Sequence, residues 1–136
     1  MRFPCRPICL VLLLLALGCS GPKIPKTVPV SGRVTMDGKP LVNALVMFSP
    51  EDSKNQRTQE ASGFTDENGS YSLKLNINGT PGVAPGRYVV HIGKMDLENA
   101  KGQVIPEAYN TNSTMTCDVP AGGKTDADYN LSSTGR

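Results

Sequence analysis

Few residues in this chain have the types and spacing for chemistry: His91, the turn Asp66-Glu67-Asn68-Gly69, and the cysteines Cys19 and Cys117. His91 is the only histidine. This argues against a metal site built from several imidazoles and against a triad drawn from this chain alone. The alternation of its neighbours puts His91 beside Arg87 and Val89 on the polar side of a strand, where it is expected to be an exposed strand residue. The acidic turn offers two carboxylates and an amide, the hard oxygen ligands that calcium prefers. The twelfth position counted from Asp66 is Ile77 rather than Glu, so the EF-hand spacing is incomplete. A β-turn with Asn-Gly supplying positive φ accounts for the residues without metal. Cys117 lies among alternating residues, with apolar Met115 and Val119 on its side and polar Thr116 and Asp118 on the other. That pattern predicts a buried, inert thiol rather than a nucleophile, which would need a base and a depressed pKa. No catalytic residue, cofactor or metal ligand is assigned.

Cys19 differs because of what precedes it. Arg2 and Arg6 form a positive region, residues 8–17 are apolar, and Gly18 stands directly before the cysteine. Ten apolar residues at about 1.5 Å each reach roughly 15 Å, half of a ~30 Å hydrocarbon core, so the run suits a cleaved secretory signal better than a spanning helix. The stretch Leu15-Ala16-Leu17-Gly18-Cys19 resembles a bacterial lipobox, departing from it at Ala16, where Leu is preferred. The resemblance implies cleavage between Gly18 and Cys19 and lipidation of Cys19 by diacylglyceryl and palmitate-type acyl groups. Ser20 follows, with no Asp to retain the protein at an inner membrane, so the expected location is the outer membrane or the periplasmic face of the cell envelope. The Lys- and Pro-containing residues 19–27 are expected to be a short tether. Cys5 and Cys9 leave with the leader. Without acylation of Cys19, a Cys19–Cys117 disulfide becomes possible in an exported protein.

What remains must fold from little more than 100 residues, a length that can bury a core. Trp is absent and aromatics are 5%, so that core is expected to rest on Val, Leu, Ile and Met. The 14 Gly and 11 Pro favour turns between short strands over long helices. Without Arg2 and Arg6, twelve basic residues face twelve acidic ones, with no basic run of the kind that tracks phosphates. A nucleic-acid partner is therefore not expected. The sequons at Asn68, Asn78, Asn112 and Asn130 are expected to be unoccupied in a bacterial protein.

From Val28 onward the apolar period is two. Val28, Val30, Val34 and Met36 share a face, and Asp37-Gly38 signals a two-residue hairpin. Ala44, Val46 and Phe48 face inward on a strand that Leu45 and Met47 make apolar on its other side, so it is expected to be central or covered. Further strands are expected at residues 61–65, at 71–77 with Tyr71, Leu73, Leu75 and Ile77 inward, and at 87–94 with Tyr88, Val90 and Ile92 inward. Two late strands are expected at 115–119 and 126–131. Residues 95–100 lack an apolar stripe and are expected to be a loop. The sum is all-β: about seven strands in a single antiparallel sandwich.

"VSGRVTMDGKPLVNALVMFSP", "GFTDENGSYSL" and "GVAPGRYVVHI" resemble, in order and spacing, the carboxypeptidase regulatory-like group, a prealbumin-type sandwich. "IPEAYN" and "AGGKTDADYNL" are similar to small lipoproteins carrying that domain in planctomycete-type bacteria. The resemblance covers residues 28–131, and its motifs are structural: Gly38 and Gly69 at positive φ, Pro85-Gly86 at a corner, Tyr71 and Tyr88 in the core. It implies four segments: a leader over 1–18, a lipid-anchored tether over 19–27, the domain over 28–132 and a tail over 133–136. It also implies a non-catalytic accessory or protein-binding module at the envelope, with an envelope protein as partner beside the membrane itself. A glycan- or peptide-binding module is the alternative, which exposed aromatic platforms would favour. The loops at 51–60 and 95–103 are where a partner face is expected first. A prealbumin-like hydrolase ranks last: that family uses several His and Arg residues and ends Tyr-Arg-Gly-Ser, whereas this chain ends "NLSSTGR". An internal Lys–Asn isopeptide bond is not expected either, since the first strand has Arg33 where an amine is needed.

Overall fold

The computed structural model describes residues 18, 20–96 and 102–136. Among them are eleven strands: β1 Ser31–Met36, β2 Lys39–Pro40, β3 Leu45–Pro50, β4 Ala61–Phe64, β5 Ser70–Ser72, β6 Lys74–Leu75, β7 Gly86–Gly93, β8 Met95–Asp96, β9 Gly102–Gln103, β10 Thr116–Val119 and β11 Tyr129–Leu131. Among the described residues helix is confined to two 3-10 turns, Ser53–Asn55 and Glu107–Tyr109, and one helical turn, α1 Gln56–Gln59. The described residues are all-β, as expected from the period of two and the Gly and Pro content.

The strands form two main sheets. In the first, β1 is flanked by β11 on one edge and by β2 and β5 on the other. The second runs β10-β7-β3-β4-β6, and β8 pairs with β9. Asp37 and Gly38 take φ of 50° and 80°, the left-handed values that a two-residue turn needs to match strand twist. The turn pairs Met36 with Lys39 as expected. β3 lies at the centre of its sheet, between β7 and β4, consistent with its apolar residues on both sides.

One apolar cluster joins the inner faces of both sheets, a sandwich-like arrangement. Val30, Val34, Tyr71 and Leu131 enter it from the first sheet, and Val46, Phe48, Leu75, Tyr88, Val90 and Ile92 from the second. The Phe48 and Tyr88 rings meet at its middle, 5.8 Å apart and tilted by 43°.

The structure departs from the expected sandwich in four places. β1 and β11 run parallel, with Val34 opposite Tyr129, so the sheets are antiparallel-rich rather than wholly antiparallel. The expected strand over 71–77 is broken at Leu73 and changes sheets: β5 pairs with β1, and β6 pairs with β4. Leu73 stays buried between them at 1% exposure. Ile77, expected inward, is 40% exposed because the chain turns after Leu75, with the Gly79 amide donating to the Leu75 carbonyl. Met95–Asp96, within the expected loop, forms β8; residues 97–100 lie outside the described residues. The tail is tied back: the Ser133 amide donates to Asp37 Oδ1 at 3.0 Å, holding that exposed carboxyl below the usual carboxylate range.

Buried tyrosines set the alkaline limit. The Tyr71 hydroxyl donates to the Ala127 carbonyl at 2.6 Å, and the Tyr88 hydroxyl to the Ala84 carbonyl at 2.7 Å. Burial pushes Tyr71 and Tyr129 far above the ordinary phenol range and Tyr88 from 10.0 up to about 12. A phenol raised on folding contributes stability that is fully present below its unfolded value and is lost as pH rises through the folded one. Cooperative unfolding is therefore expected between about pH 10 and 12, with tyrosinate absorbance rising together with loss of the β circular dichroism signal. Tyrosinate forming near pH 10 at Tyr71, Tyr88 and Tyr129 in a fully folded protein would contradict this.

Candidate functional site

The described residues singled out in the sequence play separate structural parts. Gly18 is exposed, and Cys19 lies outside the described residues. Residues 20–27 carry no regular secondary structure, and the chain enters the domain at Val28, bridged to Val83. Cys117 is buried at 6% exposure as expected. Burial raises its thiol pKa, against a hydrogen bond from the Tyr129 hydroxyl that lowers it.

His91 is half-buried, not exposed as expected. The Glu107–Tyr109 turn packs on β7, and the Asn110 carbonyl lies 2.8 Å from His91 Nδ1. A carbonyl only accepts, so the Nδ1 position carries the proton and the ring braces that turn.

The 66–69 turn is explained by its own hydrogen bonds. Asp66 Oδ1 accepts from the Asn68 and Ser70 amides at 2.8 and 2.9 Å. Gly69 has φ +74°, and a Cβ there would stand 2.4 Å from the Val34 carbonyl oxygen. Among the described residues, no group of three or more His, Cys, Asp or Glu could hold a metal ion. The 51–60 loop folds back, with α1 packing on β3.

An open groove of about 500 Å³ lies where β4 and β5 separate. These strands are consecutive and joined by the 65–69 turn, yet they belong to different sheets. β4 pairs with β6 through Ala61 and Ser62 only, and beyond that point β5 turns away to β1. The groove lies along these two strands where they part to different sheets. Its lining includes Ser62, Phe64 and Asp66 from one side and Ser70, Ser72 and Lys74 from the other. Gly63 keeps the floor low: a Cβ there would stand 2.2 Å from the Ser72 carbonyl oxygen.

Phe64 is the residue that the sequence reading missed. It is 70% exposed on the groove wall, whereas a large aromatic on a strand ordinarily contributes to a core. The signal was present in the alternation. With Ala61 and Thr65 buried on the inner side, Phe64 falls outward beside Ser62.

Around it the charges are simple. Among the described residues the ion pairs are Arg87 with Glu51 and Asp118, and Lys124 with Asp126. Lys74 therefore has no carboxylate partner among the described residues. The Ser62 hydroxyl donates to Asn76 Oδ1 at 2.6 Å, and Asp66 Oδ1 accepts from two backbone amides. The groove thus presents an apolar ring, three hydroxyls, one cation and one carboxylate, which suits binding of a polar ligand with a flat apolar face. No family model matches this chain, and neither a curated protein nor a solved structure matches it.

Proposed function

We propose that this chain is an exported bacterial lipoprotein, cleaved before Cys19 and acylated on it, that displays a β domain as a non-catalytic binding module at the cell envelope. The domain is of the prealbumin-like, carboxypeptidase regulatory-like type. The carrying observation is the order of the leader: two arginines, ten apolar residues, then Gly18-Cys19. Support comes from residues 20–26, whose mostly exposed, irregular course allows a reach of up to about 24 Å before Thr27 bonds to the Pro81 carbonyl. The accessory reading has an envelope protein as partner. The ligand-binding reading is favoured by one specific feature, the exposed Phe64 ring beside the groove.

The anchor is tested by the intact mass of protein from detergent-phase membranes beside a Cys19→Ala variant. The expected result is a chain of residues 19–136 carrying diacylglyceryl and acyl groups, with both the added mass and membrane partitioning lost in the variant. Each buried CH₂ contributes about 0.8 kcal/mol, so two or three chains hold the protein stably and none leaves it soluble. An unmodified mass in the soluble fraction would refute the lipoprotein reading and reopen the Cys19–Cys117 disulfide.

A further inference from the structure

The geometry points to the β4–β5 groove as a glycan-binding site, with a pyranose ring stacked on Phe64 and an acidic sugar selected by Lys74. This inference rests on the reading of the chain as a binding module and names that module's ligand. A pyranose presents an apolar C–H face, slightly positive at its hydrogens, and a rim of hydroxyls that both donate and accept. The negative face of an aromatic ring complements the first. Side chains of mixed donor and acceptor character complement the second. Phe64 supplies the ring at 70% exposure. Ser70 and Ser72 supply hydroxyls, Asp66 an acceptor and Lys74 a donor, all around the same opening.

Other ligand classes fit less well. An extended peptide added as a strand needs a run of open backbone edge, and β4 extends only two residues, Gly63 and Phe64, beyond its pairing with β6. At about 3.3 Å per residue that is roughly 7 Å of edge before the 65–69 turn closes it. A nucleic acid needs several cations along a track, and this lining has one lysine against one aspartate. The ammonium of Lys74, which has no carboxylate partner among the described residues, is what separates acidic from neutral sugars: a uronate carboxylate can pair with it, and a neutral ring can offer only hydroxyls.

The test uses the full acylated chain in a non-glycosidic detergent, applied to an array of neutral and uronate-containing oligosaccharides. It is followed by titration with oligogalacturonate and with its methyl-esterified, uncharged counterpart. Binding is expected, with the acid preferred over the ester by about two- to fivefold, a preference that shrinks with added salt. Phe64→Ala is expected to weaken both ligands about tenfold, while Phe64→Tyr retains them. Lys74→Gln is expected to abolish the preference and keep ester binding. Phe64 is exposed, so an unchanged melting temperature in these variants is the expected control. An array negative throughout, or glycan binding indifferent to Phe64→Ala, overturns the inference. A constant protein partner captured equally by wild type and Phe64→Ala, on a glycan-negative chain, would overturn it while leaving the binding-module reading standing.

Discussion

Gly32→Ala is expected to cost about 2–6 kcal/mol of folding stability, one of the largest effects of any small substitution in this domain. A Cβ at position 32 would stand 2.0 Å from the Ala127 carbonyl oxygen and 2.4 Å from its carbon. Both are backbone atoms, so no flexible side chain can move aside. Forcing the two segments apart costs roughly 1–3 kcal/mol as overpacking. It also disturbs two hydrogen bonds at the same residue: the Tyr71 hydroxyl to the Ala127 carbonyl, and the Ala127 amide to the Ser31 carbonyl. A buried group left unpaired there adds about 1–3 kcal/mol. Against a total of about 5–15 kcal/mol, the variant could populate unfolded chains at equilibrium. Urea midpoints are the measurement, with Gly122→Ala as control, because nothing lies within 4 Å of a Cβ there and its change should stay within about 0.5 kcal/mol. Gly32→Ala and Tyr71→Phe share Ala127, so their costs should be less than additive. A Gly32→Ala protein as stable as wild type would mean that the C-terminal segment does not cross β1 at this point.

The contact at Ala127 also marks where the sequence stopped being informative. Alternation identified Val34, Val46, Phe48, Tyr88, Val90 and Ile92 as inward, and all are buried. Asp37-Gly38 identified a hairpin by itself, because only a few residue pairs tolerate two successive positive φ values. These are local signals. The parallel pairing of β11 with β1 joins residues about ninety-five apart along the chain, and no local pattern encodes such a partner. The break at Leu73 was hidden for a related reason. A strand that changes sheets keeps its inward side chains in the same core, so Tyr71, Leu73 and Leu75 alternate as an unbroken strand would. The same alternation carried on to Ile77 and failed there, because the turn that follows is set by backbone hydrogen bonds rather than by apolar period.

The groove inherits this limit. Its lining residues are polar, turn-like or glycine, apart from Phe64 and Tyr71, and nothing in their order separates them from an ordinary hairpin. Only the sheet change at Leu73 opens the space between β4 and β5, so the site is a consequence of topology. His91, by contrast, attracted attention by its type alone, and its ring turns out to brace the turn beyond Tyr109. Phe64, which no residue type or motif singled out, stands 70% exposed beside the groove.

Phe48→Ala is the second substitution expected to be severe, at about 3–5 kcal/mol. Phe48 is fully buried on the central strand of its sheet, opposite Ala61 of β4 and Val90 of β7. Its ring packs against Tyr88. Truncation removes the transfer free energy of the ring and leaves a cavity that Ala61 and Val90, both small, are poorly placed to fill. For a domain of this size the melting temperature should fall by about 15–30 °C. The adjacent Met47, pointing to the opposite side of the same strand and only half-buried, provides the internal comparison: Met47→Ala should cost no more than about 1–1.5 kcal/mol. A one-residue slip of β3 would exchange the two faces, so a Met47→Ala variant less stable than Phe48→Ala would reject the register itself. The comparison also bears on the groove. β3 pairs Leu45 with Phe64, and the register that buries Phe48 is the one that leaves Phe64 outward. If the core variant is the costly one, the exposed ring is a feature of the native register, and a surface phenylalanine held there by the fold is available for a ligand.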